Sequence, residues 1–312
     1  MDSNIFDKYF KIIKYCYFHQ FDKSRIISIL SYGLSIIGTI STLLGLVVLI
    51  FDKSDNTFVQ KLIICFQSHF ALIVCIVFAI SFLIKKKKQS IVHKFSNTDI
   101  SVIVEFCDIF KQNGAIVVPV MDTFDTDLSK RLVNPKTIHG QFINTFYSNN
   151  ISDLDNQIEK KLKENNGILI SNEENLIGKK ERYKIGATCE IYAHSKHFYL
   201  TALTNMNPTG NVNIQPQYIQ EFLSCLWLYI LNNGVHEDYV NLPVIGSGIN
   251  RLPARYTREL IIREIITSFF LMSKEKGFCK TLRICLHYND FEYYNLEETK
   301  KLLEYIDKYL NN

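Results

Sequence analysis

Residues 26–51 and 62–84 form two strongly apolar stretches without Asp, Glu, Lys or Arg, separated by ten residues, and Lys85-Lys86-Lys87-Lys88 follows the second. As helices rising about 1.5 Å per residue they would reach about 39 and 34 Å, more than the ~30 Å hydrocarbon core of a bilayer. A pair of buried core helices is the competing reading, but helices of soluble proteins rarely run beyond about 20 residues without a charge. A cleaved signal peptide fits poorly, because the first run is too long, starts late and is followed by a second. The sequence therefore predicts a membrane anchor over residues 1–98.

Flanking charge sets the expected topology. Lys8, Lys11, Lys14, Lys23 and Arg25 precede the first stretch, and the four lysines and Lys94 follow the second. The connector holds two lysines against two aspartates. The positive-inside rule then puts both basic flanks, and with them both termini, on the cytoplasmic side of a multi-pass membrane protein. Gln67 and His69 are the strongly polar residues inside the second stretch, while Gly33, Gly38, Thr42 and Gly45 punctuate the first. Small residues let helices approach closely, which suits self-association and packing within one hairpin equally well. Phe6, Tyr9, Phe10, Ile13 and Tyr17 recur at helical spacing with lysines between them. Such a helix lies on the cytoplasmic leaflet or packs on the rest of the chain.

The first 98 residues carry 12 Lys/Arg and 5 Asp/Glu, and the remainder 23 and 26, so +7 and −3 make up the net +4. Positive charge belongs to the membrane flank, and the mildly acidic remainder argues against nucleic acid as a partner. The eight cysteines have no paired spacing. They read as reduced structural thiols, and no metal site or cofactor is expected.

Residues 99–312 alternate strand and helix. Ile100–Phe106 and Ala115–Val120 are β-branched runs of the kind found in sheet interiors. Tyr183–Tyr192 and His197–Thr204 read as a hairpin, Tyr239–Ile245 and Leu282–His287 as further strands. Helices are expected over 152–165, 217–231, 254–276 and 296–310. This is an α/β chain with a mixed sheet in a three-layer α/β/α sandwich.

Leu242-Pro243-Val244-Ile245-Gly246-Ser247-Gly248-Ile249-Asn250-Arg251 joins a strand to a helix. Glycines there let backbone N–H groups converge on an anion, and Arg251 and Arg255 favour a phosphate. A tight turn without a ligand is the plainer alternative. Together with Cys107-Asp108-Ile109 and the run Ala115-Ile116-Val117-Val118-Pro119-Val120, this outline resembles a macro domain. The resemblance implies that Asp108, with Ile109 beside it, receives the adenine amine, and that Gly246, Ser247, Gly248, Ile249 and Asn250 cradle the diphosphate of ADP-ribose.

The chain departs from typical macro hydrolases, which follow AIV with Asn-Ala-Ala-Asn. Here the segment is Val118-Pro119-Val120-Met121-Asp122-Thr123-Phe124-Asp125-Thr126, followed later by Ile138-His139-Gly140-Gln141-Phe142. The asparagine that positions the distal ribose is unmatched, so binding is favoured over hydrolysis and no catalytic residue is assigned. With the two apolar stretches, these segments resemble the membrane-anchored macro effectors of type II Thoeris antiphage systems. That resemblance implies a TIR-domain enzyme as functional partner, histidine–ADP-ribose as ligand, homo-oligomer assembly and disruption of the lipid bilayer. Asp122, Thr123 and Asp125 are then candidates for the distal moiety, or else cap a loop. His139 and Gly140 are candidates to close the pocket. Phe291, with Tyr293 and Tyr294, stacks on adenine or packs in the core. A membrane-tethered ADP-ribosyl hydrolase is the alternative function. A hydrolase triad finds no support, since the G-x-S-x-G elbow is absent and neither His194 nor His197 has an evident acid partner in the sequence.

Overall fold

The computed structural model describes residues 2–18, 23–50, 57–86, 88–129, 132–164, 169–172, 177–207, 210–235, 237–246, 252–253 and 255–311. Contacts divide the chain into two compact units, Met1–Gln89 and Ser90–Asn312.

The first unit holds four helices, α1 (Asp2–Phe18), α2 (Lys23–Ile50), α3 (Thr57–Ser68) and α4 (Phe70–Ile84). The first apolar stretch forms one helix as expected. Its segment Arg25–Ile50 has a mean hydropathy of 2.3 and only 6% of its apolar window is buried, so by length and composition it can cross a bilayer. The second stretch differs from expectation. It is not one straight span but two helices bent by 66° at His69. The cause is local: Ser68 Oγ donates to the Cys65 carbonyl at 3.1 Å, and His69 Nδ1 lies 3.0 Å from the same oxygen. Side chains that compete for a helix carbonyl bend the backbone there. At 15 residues, α4 alone rises about 22 Å, short of the ~30 Å core. The structure thus has one long apolar helix followed by a bent pair, which makes a second span only if its two halves cross together.

α1 is held within this unit. The buried Arg25 donates to the carbonyls of Tyr17 at 2.9 Å and Cys16 at 3.0 Å, and its guanidinium lies 5.6 Å from the Phe82 ring. The last carbonyls of a helix have no partner inside it, and a cation there satisfies them and complements the helix dipole.

The second unit is built on β1 (Ser90–Lys94), β2 (Ser101–Phe106), β3 (Ala115–Met121), α5 (Ile138–Phe146), α6 (Ile151–Glu164), β4 (Leu169–Asn172), β5 (Glu181–Tyr183), β6 (Thr188–Ala193), β7 (Lys196–Met206), β8 (Val212–Asn213), α7 (Pro216–Asn233), β9 (Glu237–Pro243), α8 (Arg258–Glu275), β10 (Cys279–Leu286) and α9 (Leu296–Leu310). The main sheet runs β1-β2-β10-β9-β3-β7-β6, with β8 on β7. β2, β10, β9, β3 and β7 are mutually parallel, while β1 and β6 run antiparallel at the edges. β4 and β5 pair separately.

Both faces of the sheet are covered, which explains the unbroken apolar runs. Ile116, Val118 and Val120 pack with Phe142, Ile143, Leu154 and Ile158 of α5 and α6. On α7 and α8, buried Trp227 and Phe269 pack together and against Phe278, just before β10. The three-layer reading holds. Two details change: Tyr183–Tyr192 is split into β5 and β6 by a turn at Gly186, and β1, read from sequence as part of the anchor, belongs to the sheet.

Candidate functional site

The five parallel strands end along one edge of the sheet. The chain goes from β3 to β7 on one side, then returns over β3 to β9 on the other. Where strand order reverses, loops diverge and leave a crevice at the carboxyl ends of the strands. Asp108 follows β2, Asp122 to Thr126 follow β3, Gly246 follows β9, and His287 to Phe291 follow β10. Topology thus gathers the segments singled out in the sequence at a single edge.

Asp108 caps a short 3-10 turn, accepting from Phe110 N at 3.1 Å, with Lys111 Nζ 4.0 Å away. Its side chain is 45% exposed, so it keeps access to solvent. Ile109 is buried in the core beneath it. Gly246 has φ +68°, and a Cβ there would lie 2.9 Å from Leu252 Cδ1 and 3.0 Å from Ile214 Cδ1. The left-handed backbone favours glycine, and any side chain would also have to push these methyl groups aside. Ser247, Gly248, Ile249, Asn250 and Arg251 lie outside the described residues. α8 starts at Arg258, later than the expected 254: Tyr256 N donates to Pro253 O in a turn, and Thr257 is the helix cap, accepting from Leu260 N at 3.2 Å. Phe291 is buried in the core. Tyr293 is the exposed aromatic of that loop, with the Arg258 guanidinium 4.1 Å from its ring centroid.

The loop after β3 is buried from Asp122 through Thr126, with four polar residues around Phe124. Asp122, Thr123, Asp125 and Thr126 are each at most 3% exposed. Asp122 pairs with Arg182 of β5, whose Nε donates to Oδ2 at 3.0 Å and whose Nη2 lies 2.9 Å from it, and accepts from Met206 N at 2.9 Å. Asp125 Oδ2 accepts from Thr123 Oγ1 at 3.2 Å and Lys179 N at 3.1 Å. Lys179 Nζ in turn donates to Phe124 O at 2.9 Å and lies 2.6 Å from Asp155 Oδ1. Burial raises the pKa of both Asp122 and Asp125 above the usual carboxylate value, against the opposing pull of their partners. Both carboxylates are therefore engaged by the segment around β5. Arg182, Lys179 and Asp155 were missed in the sequence; the basic run Lys179 to Lys184 facing the aspartates was the available signal.

His139 and Gly140 sit in the first turn of α5, capped by Thr137, which accepts from Gly140 N at 3.1 Å. A side chain on Gly140 would collide with the Asn134 carbonyl, so a close backbone approach accounts for this residue. His139 is buried, and its Nε2 has no hydrogen-bond partner among the described residues. Burial, and then nearby Lys179, pull its pKa down to about 3. The unfolded chain takes up this proton near pH 6.5 while the folded chain does not, so His139 makes stability fall as pH drops from about 6.5 toward 3. The raised carboxylates act oppositely: folding favours their protonation, so their contribution is lost as pH rises above about 4. Replacing His139 with Gln should remove up to one proton, about 1.4 kcal/mol per pH unit, from the acid slope of stability between pH 6 and 4. Urea titrations at several pH values check this; an unchanged slope would contradict it.

With this geometry in hand, the family described as "Thoeris protein ThsA, Macro domain" matches residues 102–287. The chain belongs to the ThsA macro-domain family. The matched span begins in β2 and ends just after β10, so it takes in the five parallel strands and the loops after β2, β3, β7 and β9. Thoeris protein ThsA of Bacillus amyloliquefaciens (strain Y2) is 29% identical over 154 residues, covering 46% of this chain and 48% of that protein. The aligned stretch thus spans about half the length of that ThsA. Among solved structures, an Oceanobacillus iheyensis macrodomain with ADP is 14% identical, covering 70% of this chain and 98% of that one, at a TM-score of 0.48. A Trypanosoma brucei macrodomain in complex with ADP-ribose is 10% identical, covering 66% and 68%, at 0.41.

Proposed function

We propose that this chain is an antiphage-defence effector whose α/β unit binds an ADP-ribose-type signal, with histidine–ADP-ribose as the expected conjugate, and whose apolar helices act on the inner membrane. The observation that carries the reading is the family match over residues 102–287, which contains the five parallel strands and the loops after β2, β3 and β9. Asp108 would receive the adenine amine and the backbone from Gly246 to Asn250 the diphosphate. Asp122, Thr123 and Asp125, with Arg182 and Lys179, would shape the wall for the distal moiety. The ligand comes from a TIR-domain enzyme, and the basic flanks of α2 and α4 keep both termini cytoplasmic. Since a ligand shifts an equilibrium only through differential affinity, the bound form must favour an assembled state. The role is read as binding without turnover, because the distal-ribose asparagine of macro hydrolases has no counterpart after β3.

Co-expression with a signal-producing TIR enzyme should arrest growth. Deleting residues 1–89 should end that arrest while leaving ligand binding within about twofold of the full chain, since the loops of the site lie in the second unit. Growth arrest that survives the deletion would refute a membrane role. Release of free ADP-ribose from modified protein by the purified chain would refute the non-enzymatic reading in favour of a hydrolase.

A further inference from the structure

A line of polar side chains crosses one face of the sheet. Arg283 of β10 places Nε 2.8 Å from Glu105 Oε1 of β2, and its Nη1 donates to Asn241 Oδ1 of β9 at 3.0 Å. The fully buried Asn241 extends the line by donating through Nδ2 to the carbonyls of Asn113 at 2.8 Å and Ala115 at 2.9 Å, at the start of β3. The Arg283 guanidinium also lies 5.0 Å from the Tyr239 ring centroid. Apolar residues would pack here as well, and a half-buried ion pair is weak evidence for stability. Its two ends are informative. Glu105 sits opposite Ser90, the first residue of β1, which continues the chain from the anchor unit. Asn241 lies in the strand that leads into Gly246.

β1 is an edge strand with one sheet neighbour, β2. Its far end is fastened to α9, where Asp307 accepts from Ser96 N at 2.9 Å and Ser96 Oγ at 3.0 Å and lies 3.3 Å from His93 Nε2. An edge strand held on one side opens more readily than the sheet interior. We propose that Arg283 is a positioning residue that transmits occupancy of the crevice, through Glu105, to β1. The proposal rests on the reading of the carboxyl edge as an ADP-ribose-type site. Coupling of this sort needs an element with two arrangements biased from both ends, and the proposal gives that part to β1.

Hydrogen exchange on the full chain in nanodiscs, with and without saturating ADP-ribose, tests it. In the unmodified chain, ADP-ribose slows exchange in the loops after β2 and β10 and changes exchange in Ser90–Lys94 by about fivefold or more. In Arg283→Met the loops still respond at saturation, but the β1 change disappears. Arg283→Lys keeps a charge beside Glu105 without the planar fork to Asn241 and recovers less than half of it. Glu105→Gln, which removes the ion pair without shortening the side chain, reproduces the loss if Arg283→Met does not fold. A β1 response retained in both Arg283→Met and Glu105→Gln, or loops that respond without β1 in the unmodified chain, overturns the coupling alone. No response anywhere overturns the ligand reading and the proposal with it.

Discussion

Gly246→Val abolishes ADP-ribose binding and lowers the stability of the α/β unit by about 2–5 kcal/mol. Two costs combine. Valine at φ +68° is a backbone outlier, since a β-branched side chain in the left-handed region clashes with its own chain. Its Cβ would also sit 2.9 Å from Leu252, 3.0 Å from Ile214 and 3.2 Å from Ile219, and overpacking a filled site costs about 1–3 kcal/mol. Relief of either strain turns the backbone at the end of β9, the segment that the proposed function assigns to the diphosphate. Gly246→Ala separates the two terms, because it keeps the strained φ and the Cβ contact but has no γ carbons. It should retain weakened binding and lose roughly half as much stability. Urea unfolding and calorimetry on residues 90–312 measure both effects, and a Val variant that binds ADP-ribose normally would contradict the account of this turn.

Arg182→Met destabilises the same unit by about 3–5 kcal/mol. Asp122 is 2% exposed and loses its cation once the guanidinium is gone, keeping backbone donors such as Met206 N. A buried carboxylate stripped of its cation is among the most damaging single changes, whereas removal of both partners is far milder. The double variant Asp122→Leu with Arg182→Met should therefore recover at least half of the loss. Burial already raises the Asp122 pKa, so the single variant should raise it further and become relatively more stable toward acid, where the carboxyl is neutral. Equal stability of the single variant and the parent at pH 7 would show that this pair does not fasten β5 to the end of β3.

The parallel core was legible in the sequence because both faces of the sheet are buried. The run Ala115 to Val120 then has no polar alternation to obscure it, while β2 alternates buried Val102, Val104 and Phe106 with half-buried Ile103 and Glu105. The glycine turn was legible for a different reason, since few residue types tolerate its backbone. Other features depended on contacts that no local pattern carries. β1 reads as Ser-Ile-Val-His-Lys beside a lysine run, and only its pairing with β2 makes it a strand. The break at His69 is decided by side chains competing for one carbonyl within an apolar run that otherwise looks continuous. Asp122 and Asp125 looked available to a ligand because Arg182 and Lys179 are distant in the chain and are brought to them by the segment that includes β5. His139 gave no hint of its burial, since an imidazole in a first helical turn is ordinarily solvated.

The central claim is that the carboxyl edge of the sheet captures an ADP-ribose-type nucleotide. Calorimetric titration of residues 90–312 with ADP-ribose and with histidine–ADP-ribose tests it most directly. The account predicts saturable one-to-one binding of both, with the conjugate bound at least tenfold more tightly, a preference of about 1.4 kcal/mol. Failure of either compound to bind a folded domain would contradict the site itself.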